Sequence, residues 1–130
     1  MLEGFAIGQT AVIDVTVTPD MFARFEGQLV HPVYSTVSMV YHMEWVSRQT
    51  ILPFLEEHEE GMGGAVTVKH NAPCPEGTVI SFTATVSDRK DNVVITTVRA
   101  ESEGRLVGVG EVTQVILPKS KIASLVAGSG

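Results

Sequence analysis

Three side chains in this sequence could do chemistry together: the hydroxyl of Thr36, the carboxylate of Glu44 and the imidazole of His70. Glu44 sits inside Tyr41-His42-Met43-Glu44-Trp45-Val46, an apolar run. A carboxylate in such company is costly unless it is paired or has a task. Two readings stand. Arg48 lies four residues on, in the favourable order for a helical ion pair. Alternatively Glu44 lines a cleft and acts as a base or nucleophile. Thr36 precedes Glu44 by eight residues, about 12 Å along a helix axis and roughly 80° round it. It reads as a helix cap or first-turn residue. It also reads as a hydroxyl at a helix N-terminus, where backbone N–H groups can stabilise an oxyanion. His70 closes the stretch 65–70 and alternates with Val68 and Val66, so it shares their face. It is either an ordinary strand-end histidine or the group that moves protons near neutral pH.

The remaining candidates are weaker. His42 and Glu44 are two apart on a helix and diverge, so they do not chelate one metal. His31 and His58 fall in loop-like segments. No HExxH or Cys/His ligand spacing exists, and no glycine-rich phosphate loop, so no metal is expected. Cys74 stands between Pro73 and Pro75 with no activating base near it in sequence, which reads as an inert thiol. Gly61, Gly63 and Gly64 read as turn glycines.

A chain of 130 residues suits one domain, 1–130, able to bury roughly two-thirds of its unfolded surface without disulfides. The hydrophobic share of 44% and charged share of 18% are globular. Net charge is −6 with no basic block, which argues against nucleic acid. A local cationic patch could still hold an anionic cofactor. The one cysteine cannot form an internal disulfide. The opening Met1-Leu2-Glu3-Gly4 is no basic-then-apolar leader, and apolar runs fall short of the ~18 residues of a membrane span. The expectation is a soluble, cytoplasmic protein without membrane partners.

The positioning elements follow from pattern. Residues 9–17 alternate and are β-branched, predicting a strand ended by Pro19-Asp20. Residues 21–32 hold Phe22, Phe25, Leu29 and Val30 with neither period and read as a loop or short helical turn. Ser35 or Thr36 can cap a helix. Its segment is apolar almost all round and predicts a buried helix that a second subunit would cover. Pro53 ends or kinks it, and 56–60 is an exposed acidic stretch. Residues 61–64 read as a turn. Strands follow at 65–70, 78–87, 93–100 and 106–117, with turns at 73–77, 88–92 and 103–104. Pro118 stops the last, and 119–130 reads as a C-terminal tail, loose at 127–130. One helix packed on a five-stranded antiparallel sheet is an α+β arrangement, with the last four strands expected as a meander.

The run Thr36-Val37-Ser38-Met39-Val40-Tyr41-His42-Met43-Glu44-Trp45 resembles the central helix of the fluoroacetyl-CoA thioesterase-like group of hot-dog enzymes: a Thr, seven residues, then the Glu of Met-Glu-Trp. The similarity continues through Leu52-Pro53-Phe54-Leu55-Glu56, the glycines, and Ala65-Val66-Thr67-Val68-Lys69-His70, whose His stands 26 residues after the Glu. Pro75-Glu76-Gly77-Thr78-Val79 also fits. The resemblance implies a hot-dog fold, a homodimer that can pair again into a tetramer, and active sites between subunits. It implies hydrolysis of a small or short-chain acyl-CoA to the free acid and coenzyme A, with no cofactor beyond the CoA of the substrate. It gives Thr36 the part of hydroxyl partner, Glu44 that of carboxylate nucleophile or base, and His70 that of activating water. Gly63 falls where the family places a backbone N–H near the thioester oxygen, with Gly64 equally able. Tyr34 and Val40 are the further substrate-binding candidates.

The fluoroacetate-processing form is rich in phenylalanine just before the central helix, whereas Gly27-Gln28-Leu29-Val30 has none. This points to a general short-chain acyl-CoA thioesterase. Three other readings remain. One is a different hot-dog enzyme, a hydratase or dehydratase, although no HxxxGD-like helix entry is present. The second is a non-catalytic acyl-CoA-binding dimer. The third is a purely structural dimer in which Glu44 is tied to Arg48. Arg48, Lys69, Arg89, Lys90 and Lys119 are the cations available to CoA phosphates.

Overall fold

The computed structural model describes residues 1–129. Five antiparallel strands form the main sheet in the order β1-β5-β6-β7-β4. These are β1 (Thr10–Thr16), β4 (Glu59–His70), β5 (Val79–Lys90), β6 (Val93–Ser102) and β7 (Arg105–Pro118). Between β1 and β4 come a two-stranded hairpin, β2 (Phe22–Phe25) and β3 (Gln28–Tyr34), and the helix α1 (Thr36–Ile51). The α+β expectation of one helix on a five-stranded antiparallel sheet therefore holds.

Four details of the sequence reading change. The meander covers only β5, β6 and β7, and β4 lies beyond β7 at the far edge. Met21 closes a short helical turn, Pro19–Met21, but residues 22–34 are a hairpin rather than a loop, because a turn at Glu26 and Gly27, both at positive φ, folds them back. Residues 61–64 are not a turn but part of β4, with Gly61 and Gly63 letting the strand pass under the helix. The tail at 119–130 is a helix, α2 (Lys119–Ser129), as far as Ser129. Gly130 lies outside the described residues.

Ser35 caps α1 by accepting from the Ser38 N–H, which leaves Thr36 as the first helical residue. Such a cap contributes about 1 kcal/mol. Ser47 and Thr50 turn a polar seam of α1 inward and are satisfied there, Thr50 by the Ser47 carbonyl and Ser47 by the Thr96 hydroxyl at 2.7 Å. Met39, Met43 and Val46 are wholly buried against the inner faces of β5 and β6, where Ile80, Phe82, Ala84, Val98 and Ala100 alternate. The helix is not buried all round: Val37, Tyr41 and Trp45, each a turn apart, stand 75%, 62% and 45% exposed in a single chain. No helix among the described residues is long and apolar enough to cross a membrane.

The helix approaches the sheet where side chains are missing. A Cβ on Gly108 would stand 2.6 Å from the Met39 sulfur, and one on Gly110 2.6 Å from both the Met43 sulfur and the Thr67 carbonyl oxygen. The carbonyl is ladder backbone and cannot yield. Gly110→Ala is therefore expected to destabilise the fold by about 1–3 kcal/mol, as overpacking does. Gly64→Ala, whose Cβ would meet nothing closer than 3.5 Å, serves as control. Urea unfolding of the two variants beside wild type checks the difference.

Candidate active site

One side of α1 runs along β4. Residues 36, 40, 44 and 48 are four apart and drift by only about 40° per step, so they form a stripe. Three of them meet β4 in order. The Thr36 hydroxyl lies 3.0 Å from His70 Nδ1. The Glu44 Oε1 lies 3.1 Å from where a Gly63 side chain would begin. Arg48 forms a two-pronged pair with Glu60, at 2.9 and 3.1 Å. Val40 occupies the stripe between Thr36 and Glu44 and is half-buried.

The structure thus brings together Thr36 with His70, and Glu44 with Gly63. Within one chain it does not bring all three chemical residues to one point, since eight helical residues separate the two pairs by about 12 Å. Each pair opens onto its own cleft. The Thr36 cleft, about 310 Å³, is lined by Tyr34, His70, Asn71 and, from β3, His31. The Glu44 cleft, about 180 Å³, is lined by Arg48, Gly61, Gly63, Val112 and Gln114. A larger depression of about 700 Å³ lies among Thr67, Lys69, Thr83, Thr85, Thr97 and Arg99, on strands facing away from α1. It is larger but holds no histidine or carboxylate, so size does not locate the chemistry.

The expected ion pair between Glu44 and Arg48 is not formed, because Arg48 is taken by Glu60 on β4. The Glu60 carboxyl is held below its usual range first by Arg48 and then by the Gly61 N–H. Glu44 is exposed in a single chain, not sunk in the core as its apolar neighbours suggested. Helical spacing turns 44 away from the buried arc of Met39, Met43 and Val46.

The two glycines are no longer equivalent. A register shift between Gly63 and Ala65 puts a bulge in β4. A bulge adds one residue and reverses which face the following residues use. Val66, Val68 and His70 face α1 on one side of it, and Gly63 and Gly61 on the other. Gly64 faces Val115 and Thr113 instead. Tyr34 is a buried wall rather than an exposed contact: its hydroxyl bonds His42 Nδ1, and its ring meets the His70 ring edge-on at 6.2 Å. Burial drives the Tyr34 phenol well above its ordinary range. Cys74 is buried and unpaired, with its thiol pushed up by burial. Among the CoA-phosphate candidates, Arg48 is engaged by Glu60, Arg89 covers the Phe5 ring, and Lys69 lines the outer depression.

Sequence reasoning passed over His31 and Gln114. His31 carried no signal, because its strand was read as a loop. Gln114 did carry one: it takes the core-facing position between Val112 and Ile116 on β7, and all three are buried. Two buried side-chain polar atoms among the described residues lack a hydrogen-bond partner, His70 Nε2 and Gln114 Nε2. One belongs to each cleft. Such orphans are rare in folded proteins and ask for a reason.

A family model described as fluoroacetyl-CoA-specific thioesterase matches residues 17–120. The chain belongs to this family. The fluoroacetyl-CoA thioesterase of Streptantibioticus cattleyicolor is 31% identical over 90 residues, 65% of each chain, so the match spans just under two thirds of that relative. A Thermus thermophilus hypothetical protein, described as a thioesterase superfamily member, superposes with a TM-score of 0.92. It is 44% identical, over 97% of this chain and 93% of that one. The fluoroacetyl-CoA thioesterase FlK shares the fold at a TM-score of 0.89 and 24% identity, over 98% and 99% of the two chains. One form of that enzyme is solved in complex with acetyl-CoA. The family is one of thioester hydrolases, and the hot-dog architecture is that of its members.

Two outcomes check this geometry. A double-mutant cycle on Arg48 and Glu60 is expected to give a coupling of about 0.2–1 kcal/mol, typical of a half-exposed pair, against none for Arg48 and Glu44. The second concerns His42, whose pKa is lowered chiefly by burial, against a smaller upward pull from the Ser38 backbone. The unfolded chain therefore binds the proton more readily, so stability is full above about pH 6.5 and declines as pH falls toward the folded-state value. Urea midpoints across this range should show that decline, and His42→Gln should flatten it.

Proposed function

We propose that the protein hydrolyses a small or short-chain acyl-CoA to the free acid and CoA, through Thr36, Glu44 and His70. The observation that carries the reading is the stripe of α1 against β4, which sets a carboxylate over a glycine next to a bulge and a hydroxyl on an imidazole. A thioester carbonyl is electrophilic, and its thiolate leaves readily. Glu44 acts as base on the attacking water. Beside it β4 is an edge strand whose ladder skips Gly64, which supports a backbone N–H of Gly63 or Gly64 serving the developing oxyanion. The Thr36–His70 pair protonates the departing sulfur.

The gap between the two pairs supports a homodimer. Two α1 helices related by a two-fold axis near Val40 run antiparallel, and residue 44 of one then faces residue 36 of the other. That symmetry sets Glu44 beside the hydroxyl–imidazole pair of a second copy. It also covers Val37, Tyr41 and Trp45, a stripe too apolar to leave in water.

The lid is the β2–β3 hairpin, whose Leu29 and Val30 stand 53% and 48% exposed, with its phenylalanines, Phe22 and Phe25, on β2 and none between Gly27 and Val30. Its chemistry supports general selectivity. In thiol-release assays, acetyl- and propionyl-CoA should turn over. Fluoroacetyl-CoA should exceed acetyl-CoA by less than a hundredfold in kcat/KM. Glu44→Ala and His70→Ala should each lose about a hundredfold or more while remaining folded. A wild type that releases no thiol from any acyl-CoA sinks the proposal.

A further inference from the structure

We infer that Gln114 is a water-positioning residue: its side-chain amide holds the hydrolytic water against Glu44. This inference rests on the proposed thioesterase reading and adds to it a residue that neither the motif nor the family resemblance supplied.

The polar side chains that intrude on the core face have protein partners in most cases. Ser47 meets Thr96, Thr50 meets the Ser47 carbonyl, and His42 meets Tyr34. Gln114 differs. It is 95% buried by its 5% exposure, yet its Nε2 has no partner. A buried amide left in that state is destabilising, and a strand position between Val112 and Ile116 would take an apolar residue without loss. Gln114 lines the Glu44 cleft together with Gly61 and Gly63. Its Oε1 lies 3.6 Å from where a Gly61 side chain would begin, while its Nε2 is closed off from solvent. Gln114 and Gly63 are paired directly across β7 and β4, and paired residues share a face. The two glycines leave empty the space that their side chains would fill, Gly61 beside the amide oxygen and Gly63 beside the Glu44 carboxylate.

A water in that space meets two acceptors, the Gln114 Oε1 and the Glu44 carboxylate, the two partners a bound water needs at minimum. Donating a proton to each, it keeps its lone pairs for the thioester carbon. In the step itself the water oxygen bonds to that carbon and its proton passes to Glu44. The carbonyl π pair moves onto oxygen. On collapse the C–S bond breaks with its electron pair on sulfur, which takes a proton from the Thr36–His70 pair. Glu44 then returns its proton to that pair through solvent, and acid and thiol leave.

The test is Gln114→Met, close in length and without the amide, beside Gln114→Asn, which keeps the amide on a shorter arm. Thiol release from acetyl-CoA and thermal unfolding are measured for both. The expected result for Gln114→Met is a kcat lower by about tenfold to a hundredfold, KM within about twofold, and Tm equal or higher. Gln114→Asn should recover part of the kcat. Unchanged kcat in Gln114→Met, or a kcat loss that only follows a fall in Tm in both variants, overturns the inference. A raised KM with kcat kept also overturns it, by placing the amide on the acyl group instead. These outcomes presuppose wild-type turnover, so its absence counts against the thioesterase reading and is told apart from failure here.

Discussion

Everything at the site depends on how closely α1 lies against the sheet, and that distance is set by side chains that are not there. Gly108 and Gly110 on β7 admit the sulfurs of Met39 and Met43, and Gly61 on β4 admits the end of Ile51, each at 2.6 Å from where a Cβ would stand. A helix lifted by one methyl would move Thr36 away from His70 and Glu44 away from Gly63 together, because both contacts join one helix edge to one strand. Tight packing and the register of these two pairs are thus one constraint. Interiors at this density have few ways to relax, which holds the helix edge in one place.

The same edge shows where the fold gives up stability. The two orphaned atoms among the described residues, His70 Nε2 and Gln114 Nε2, belong to side chains that line the two clefts. The bulge at Gly64 likewise breaks a ladder that an unbroken strand would complete. Buried unsatisfied groups and interrupted ladders are tolerated where a substrate or water completes them, and they are disfavoured elsewhere. The exposed Val37, Tyr41 and Trp45 belong to the same account, as an apolar surface suited to a second copy.

Much of this was legible in the sequence. Alternation located β1, β5, β6 and β7, and the cap at Ser35 with Pro53 bracketed α1. The spacing of Thr36, Glu44 and His70 pointed to the residues that meet β4, and the family resemblance agreed with the match over 17–120. What failed shares a cause: properties that depend on the far side of a contact. Arg48 had a plausible partner four residues away, but Glu60, twelve residues on, wins because β4 brings it alongside with two hydrogen bonds. The glycines at 61–64 carry the composition of a turn, and only the presence of Ile51 and Glu44 above them explains small residues in a strand. The hairpin at 22–34 has neither period because it stands apart from the main sheet, so its sides are not sorted into core and solvent. Gln114 alone was readable and overlooked, as a polar residue in an apolar phase.

The most direct test of the account is a crystal structure with a non-hydrolysable acetyl-CoA analogue in which CH₂ or oxygen replaces the thioester sulfur. The account predicts the acyl group in the groove between α1 and β4. Its carbonyl oxygen should lie within hydrogen-bond reach of the Gly63 or Gly64 N–H, with Glu44 beside the carbonyl carbon and a second copy's Thr36 and His70 closing the other side. An acyl group bound in the depression on the outer face of the sheet, or in a groove that a single chain completes with Glu44 turned to solvent, would contradict it.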